Sequence, residues 1–200
     1  MISKTKEGLR LDHKVIGDMV KSASSVLDMG CGSGGLLEYL VENMDVKGTG
    51  VEINEDAIYS CVEKGLSVSH GDIDSGLSDY PDRLFDYVIF NQTMQQVHKP
   101  DEAIAEALRI GKKVIIGFPN FCHITARFQL FFRGQVPITS SLPDEWYNTP
   151  NLHFLSIKDF KGFCAARGIK IEKSVFLSEN RIIKFMPNLF ALDAIFQISK

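Results

Sequence analysis

The run VLDMGCGSGG at residues 26–35 places a carboxylate, a thiol and four glycines within ten positions. An apolar segment leads into it and a helix-compatible segment follows, so Gly30 and Gly32 fall at a strand-to-helix turn. Glycine there permits a tight turn and lets a ligand's polar groups approach free backbone N–H groups. Such turns are common, and the loop alone does not define a site. Two further carboxylates add to it. Glu52 closes the second apolar segment, 24 residues after Asp28, where a carboxylate can accept both hydroxyls of a ribose diol. Asp72 follows the third segment, at the same expected sheet edge and within reach of an adenine amino group. Three ligand-type positions, each behind its own strand, read as a nucleoside-binding edge.

Gly30, Gly32 and Gly35 also satisfy the dinucleotide spacing G-x-G-x-x-G. Asp28 argues against that cofactor, because a carboxylate two residues before the first glycine opposes a pyrophosphate. The same carboxylate suits a cation such as S-adenosylmethionine, and an NAD-linked oxidoreductase is the weaker reading. The pattern VLDMGCGSG, with Glu52, Gly71–Asp72 and FDYVIF at 85–90, resembles the class I S-adenosylmethionine-dependent methyltransferases over residues 20–120. The resemblance implies that Asp28, Gly30, Cys31 and Gly32 hold the methionyl part of S-adenosylmethionine or S-adenosylhomocysteine. It further implies Glu52 and Ile53 at the ribose and adenine, Asp72 and Ile73 at the adenine, and Asn91 near the transferable methyl. No acid–base pair stands out, and catalytic residues stay unassigned.

The elements that must position these residues alternate between strand and helix. Strands are expected at Ser25–Met29 and at residues 47–53, 66–69, 85–90 and 113–118, with helices at 36–41, 56–63 and 101–108. Nearly all-apolar runs such as FDYVIF belong to strands buried on both faces, so the expected class is α/β, a doubly wound, mostly parallel Rossmann-like sheet. Past Pro119 the texture changes, and twelve of the fourteen phenylalanines lie at Phe118 or later. Residues 121–132 have helical spacing, 135–151 read as an irregular loop, 157–167 as a helix and 170–177 as a strand. Residues 188–198 space Leu189, Leu192 and Phe196 at i, i+3 and i+7, an amphipathic helix expected to cover the sheet edge. Residues 1–200 are expected to form one domain, a core at 20–120 and an aromatic-rich C-terminal extension at 121–200.

The second half sharpens the resemblance. GFPNF at 117–121, DEWYNTPNLHFLSIKDF at 144–160, NQTMQQV at 91–97, RGQVPIT at 133–139 and the tail together resemble the MetW family of methionine biosynthesis. That family is linked to homoserine O-acyltransferase, which the resemblance implies as a partner. Two functions follow as expectations: methyl transfer to an unidentified small acceptor, or a non-catalytic subunit that binds and regulates the acyltransferase. The chain itself lacks the G-x-S-x-G elbow of a hydrolase-type acyltransferase, since Cys31 stands where the first glycine belongs in CGSGG. A P-loop lysine pattern is missing too.

Composition narrows the rest. With 25 acidic and 22 basic side chains the net charge is −3, no basic excess for nucleic acid. No run of about 18 apolar residues suggests a membrane span, and the first twenty residues do not read as a secretory leader. Cys31, Cys61, Cys122 and Cys164 lack zinc or disulfide spacing and read as reduced thiols of a cytoplasmic protein. His70, Asp72 and Asp74 alternate on one loop and seldom converge on a metal; Asp72 is better used at the adenine. Gln92, Gln95 and Gln96 read equally as ligand amides or as polar caps of a helix start. His98 reads as a surface residue, and His123 and His153 as packed or capping side chains. Trp146 and Tyr147 are expected to anchor their loop rather than close over the cleft, and the phenylalanines to fill the core.

Overall fold

A computed structural model of the chain describes residues 9–74 and 77–200. Its centre is an eight-stranded sheet of order β3-β2-β1-β4-β5-β8-β6-β7. Five strands run parallel: β1 (Ser25–Met29), β2 (Lys47–Glu52), β3 (Ser67–His70), β4 (Phe85–Asn91) and β5 (Gly111–Pro119). Beyond them β8 (Asp193–Ser199) lies antiparallel between β5 and β6 (Lys170–Ser178), and β7 (Arg181–Ile182) forms the far edge.

Side chains of a strand alternate between faces, so a strand apolar at every position needs cover on both. Here Val26, Tyr87, Ile89, Ile115 and Ile195 pack on one face against α1 (Leu11–Gly17) and α2 (Gly35–Met44). Leu27, Val88, Phe90, Ile116, Phe118 and Phe196 pack on the other, against α4 (Pro100–Ile110) and α6 (Ile157–Ala166). The helix α3 (Glu55–Glu63) starts where the Asn54 side chain accepts from Ala57 N–H at 3.0 Å. At α6, Ser156 and Asp159 form a reciprocal capping box.

The tail departs from expectation. Only α7 (Pro187–Phe190) is helical; Ala194 through Ile198 are all buried in β8. Ile195 and Phe196 therefore face opposite layers rather than sharing one stripe. A short run buried on both sides fits strand and helix periods alike, and the β-branched and aromatic content here belongs to a strand. The sheet edge that the tail was expected to cover is instead β7.

Residues 121–132 also differ. The helix α5 is Ile124–Phe128, continued by a wider helical turn Gln129–Arg133 that Gly134 ends at φ +62°. Of this segment Ala126 is buried, while Phe128, Phe131 and Phe132 are exposed, Phe131 by 82%. The phenylalanines thus divide. Phe118, Phe160 and Phe196 stack in the core with centroids 4.8–5.8 Å apart, whereas Phe128, Phe131, Phe132 and Phe185 face outward.

Candidate functional site

The carboxyl ends of β1, β2 and β4 open onto a cleft of about 450 Å³. In an open α/β sheet this edge, where the connections depart to opposite faces, is where ligands bind, and the volume suits a cofactor. Gly30, Gly32, Glu52, Ile53, Asp72 and Ile73 line it, and Asn91 closes its β4 side. Of the sequence candidates, Asp28 and Cys31 do not reach it.

The loop after β1 takes left-handed conformations at Gly30 (φ +71°), Gly32 (φ +54°) and Gly34 (φ +79°). A Cβ on Gly30 would stand 2.5 Å from Thr93 Cγ2, so conformation and space both require glycine. The backbone donors of the loop are largely engaged, contrary to expectation. Gly30 N–H and Cys31 N–H donate to Val51 O at 2.8 and 3.2 Å, and Gly34 N–H donates to Cys31 O at 3.0 Å. Gly32 N–H donates to Glu52 Oε2 at 2.8 Å. Glu52 Oε1 accepts from Ile53 and Asn54 N–H, both at 2.9 Å. Glu52 thus ties the glycine loop to the start of α3.

Asp28 sits beneath the loop with 2% of its surface exposed. Burial, and then the Glu52 charge, push its carboxyl up to about 7. The Cys31 thiol turns from the cleft and packs over Gly50, where a Cβ would meet its Sγ at 2.5 Å; burial pushes it well above the ordinary thiol range. Asp72 Oδ1 accepts from Asp74 N–H at 2.9 Å. Asp74 in turn accepts from His98 and Lys99 N–H, both at 3.1 Å, clamping the loop after β3 to the loop after β4.

Several residues at this edge were not singled out from the sequence. Asp12, 1% exposed on α1, accepts from Arg10 Nη2 at 2.7 Å and from Asn91 Nδ2 at 2.9 Å. Burial opposes its charge, but Arg10 holds its carboxyl below the usual range. Burial pushes the adjacent His13 down to about 4. From β8, Asp193 Oδ1 accepts Gln92 Nε2 at 3.1 Å; burial and the Asp12 charge push its carboxyl up to about 7. A lone acid entering the apolar run ALDAIFQI was the available sequence signal for Asp193. Thr93 lines the cleft as well, beside Gln92, at φ +61°, and Gln96, two of the amides that the sequence offered as ligand groups or caps.

The aromatic loop contributes no cover. Trp146 and Tyr147 are 70% and 72% exposed and meet edge to face at 5.6 Å, neither anchored in the core nor closing the cleft. His123 Nδ1 caps α5 by accepting from Thr125 N–H at 3.2 Å, and His153 N–H donates to Gln95 O at 3.0 Å. His98 is exposed at the cleft rim.

Strand order, glycine loop and acidic edge define a Rossmann-like methyltransferase fold. A methyltransferase described as S-adenosylmethionine-dependent, from Thermotoga maritima, superposes with a TM-score of 0.69 at 19% identity, covering 95% of this chain and 88% of that one. The [4+2]-cyclase SpnF superposes with a TM-score of 0.71 at 17% identity, covering 99% of this chain and 84% of that one. Both likenesses speak to the fold, and one scaffold hosts different chemistries. The family model "Methionine biosynthesis protein MetW" matches residues 10–198, and the chain belongs to that family. It is 33% identical over 177 residues to the bifunctional methionine biosynthesis protein MetXA/MetW of Rhodopirellula baltica, covering 84% of this chain and 28% of that protein. The chain spans 21–28% of the length of four curated relatives that it matches. Among the described residues, no helix is long and apolar enough to cross a membrane.

Proposed function

We propose that the cleft binds S-adenosylmethionine and that the protein transfers its methyl group to a small acceptor within methionine biosynthesis. The acidic, nucleoside-sized cleft carries this reading: Glu52, Asp72 and Asp74 line it, Asp28 lies under it, and among the described residues no lysine or arginine lines it. That charge suits a sulfonium cation and opposes the pyrophosphate of NAD. Glu52 would take the ribose diol with Ile53 beside the adenine, and Asp72 and Ile73 would hold the adenine. Gly30 and Gly32 would meet the methionyl part along their backbone, with Cys31 and Asp28 behind the cleft wall, Asp28 acting through its charge. Three of the roughly four lone-pair positions on Glu52 already hold N–H groups, so accepting both hydroxyls requires release of Gly32 N–H. The bound cofactor supplies a methyl carbon made electrophilic by its sulfonium. The protein's part is to hold that carbon in line with the acceptor and exclude water.

A second reading rests on a separate observation, the fused MetXA/MetW relative, together with the exposed Phe128, Phe131 and Phe132. In it the chain is a partner subunit that binds and regulates homoserine O-acyltransferase, with the adenosyl ligand reporting pathway output. Co-purification with the acyltransferase, then acylation assays with and without this chain and S-adenosylmethionine, separates the two. Turnover to S-adenosylhomocysteine by the isolated chain supports the first reading; a stable complex whose acylation depends on this chain supports the second.

A further inference from the structure

Resting on the reading of this chain as a partner of homoserine O-acyltransferase, the segment between β5 and α6 supplies the place where the two meet. Phe128, Phe131 and Phe132 are 55%, 82% and 67% exposed, with ring centroids 4.5 Å apart for the first and last and 4.8 Å for the adjacent pair. Leu130, Val136, Ile138, Trp146 and Tyr147, from the same segment, are exposed too. Single apolar side chains on a surface are ordinary, but a contiguous aromatic cluster marks a face that another molecule covers.

The cluster is held in place rather than loose. Gln129–Arg133 is a π-helical turn, a rare form found often at functional sites, and Gly134 ends it at φ +62°. Gln129 braces the turn with both ends of its amide: Nε2 donates to Ile138 O at 2.8 Å, and Oε1 accepts from Ile138 N–H at 2.9 Å. Arg127 Nε donates to Cys122 O at 2.7 Å, fixing the start of α5. Only Ala126 of α5 and this turn is buried, so the small side chain goes in and the rings stay out. Between the turn and Trp146 lies a hollow of about 750 Å³, lined by Val136 and Ile138 and by one charge of each sign, Arg133 and Glu145. Both ends of the segment are pinned to the sheet edge that carries the cleft. It leaves β5 at Pro119, the carboxyl end, and returns where Leu152 and His153 N–H donate to Gln95 O at 2.9 and 3.0 Å. Gln96 and Val97, next along the chain from Gln95, line the cleft.

The occupant follows from charge and from the fused relative. An anionic lipid surface or a nucleic acid calls for a basic excess, whereas residues 124–147 set Arg127 and Arg133 against Asp144 and Glu145. The bifunctional MetXA/MetW relative joins a unit like this one to a second unit on one polypeptide, which holds the two at high effective concentration. That observation favours the acyltransferase over a second copy of this chain. We propose that the turn at 128–133, with Trp146 and Tyr147, is the surface that docks on homoserine O-acyltransferase and sets it beside the adenosyl cleft. Phe131 and Phe132 are its central contacts, and the partner meets them with an apolar pocket, as the aromatic anchors of interface cores require.

Calorimetric titration of the full chain into separately produced homoserine O-acyltransferase of the same organism tests this. The unmodified chain is expected to form a complex, and the double variant Phe131→Asp/Phe132→Asp to weaken it about 100-fold or more. Phe185→Asp, at a ring 74% exposed past β7, is the matched control and is expected to leave the affinity unchanged. Hydrogen exchange on the unmodified complex reads the same surface without a substitution, with protection expected at the amides of 128–133 and 146–147. A complex that survives the double variant, equal weakening by Phe185→Asp, or protection confined to other segments overturns the docking surface and leaves the partner reading standing. No complex with the unmodified chain overturns both. Sedimentation of the isolated chain as a dimer that the double variant dissolves gives the patch to a second copy and overturns the proposal as well.

Discussion

Replacing Glu52 by alanine removes the one side chain that ties the glycine loop to the start of α3. Three N–H groups lose their acceptor: Gly32 at 2.8 Å, Ile53 at 2.9 Å and Asn54 at 2.9 Å. Glu52 lies at a partly open edge, so water replaces these bonds and the loss of folding stability is small, about 1 kcal/mol. Binding suffers more. The ribose diol loses a charge-assisted acceptor worth about 1.5–3 kcal/mol, which weakens S-adenosylhomocysteine about 10- to 150-fold. Calorimetric titration of the variant measures this, with a thermal melt as control for folding. A dissociation constant within twofold of the unmodified chain, in a folded variant, would refute the ribose assignment of Glu52.

Asp28, pushed up from its ordinary 3.8 to about 7, gives a pH dependence with a definite sign. A raised carboxyl binds its proton more tightly folded than unfolded, so the stabilising contribution of its protonated form falls as pH rises from about 4 to 7 and is gone above. Asp28→Asn should therefore stabilise the free protein at pH 8, by at most about 4 kcal/mol, while reducing the pH dependence of its affinity for S-adenosylmethionine to what Asp193 contributes; in the unmodified chain that affinity should rise from pH 6 to 8, and a flat profile there contradicts the role given to Asp28. Gly30→Ala should lose adenosyl binding, since the new Cβ meets Thr93 at 2.5 Å and φ is +71°; retention of binding by calorimetry would mean the loop tolerates a different path. Deleting residues 187–200 removes Ile195, Phe196 and Ile198, all buried between β5 and β6, at about 1.5–3 kcal/mol each. That sum rivals the whole stability of a domain, so the truncated chain should be insoluble or unfolded by circular dichroism. The whole chain, proposed to be one domain, should melt in a single calorimetric transition, and two separate transitions would argue otherwise.

The parallel half of the sheet was legible because short apolar, β-branched runs such as FDYVIF at 85–90 and VIIGF at 114–118 alternate with helix-compatible segments. The first turn and its acidic partners were legible because Asp28 and Glu52 lie at the ends of β1 and β2, and Gly30 and Asp72 follow β1 and β3 within two residues. The strand β8 was not, since six or so buried residues carry too little periodicity to choose between strand and helix without their neighbours. Nor could composition say which phenylalanines turn outward, because a buried Phe118 and an exposed Phe131 sit in equally apolar surroundings along the chain. Asp12 and Asp193 meet the cleft through Asn91 and Gln92 from opposite ends of the sequence, a proximity only the topology supplies. Even the glycine loop held a surprise, for the N–H groups that such a turn offers to a ligand are here held by Val51 and Glu52.

The central claim, that the cleft between β1, β2 and β4 is an S-adenosylmethionine site, is tested most directly by a crystal structure of the full chain grown with S-adenosylhomocysteine. The account predicts the ribose hydroxyls on the Glu52 carboxylate, the adenine between Ile53 and Ile73 with its amino group toward Asp72, and the homocysteine sulfur facing Asn91. A ligand seated elsewhere, or in the cleft with its ribose away from Glu52, would contradict it.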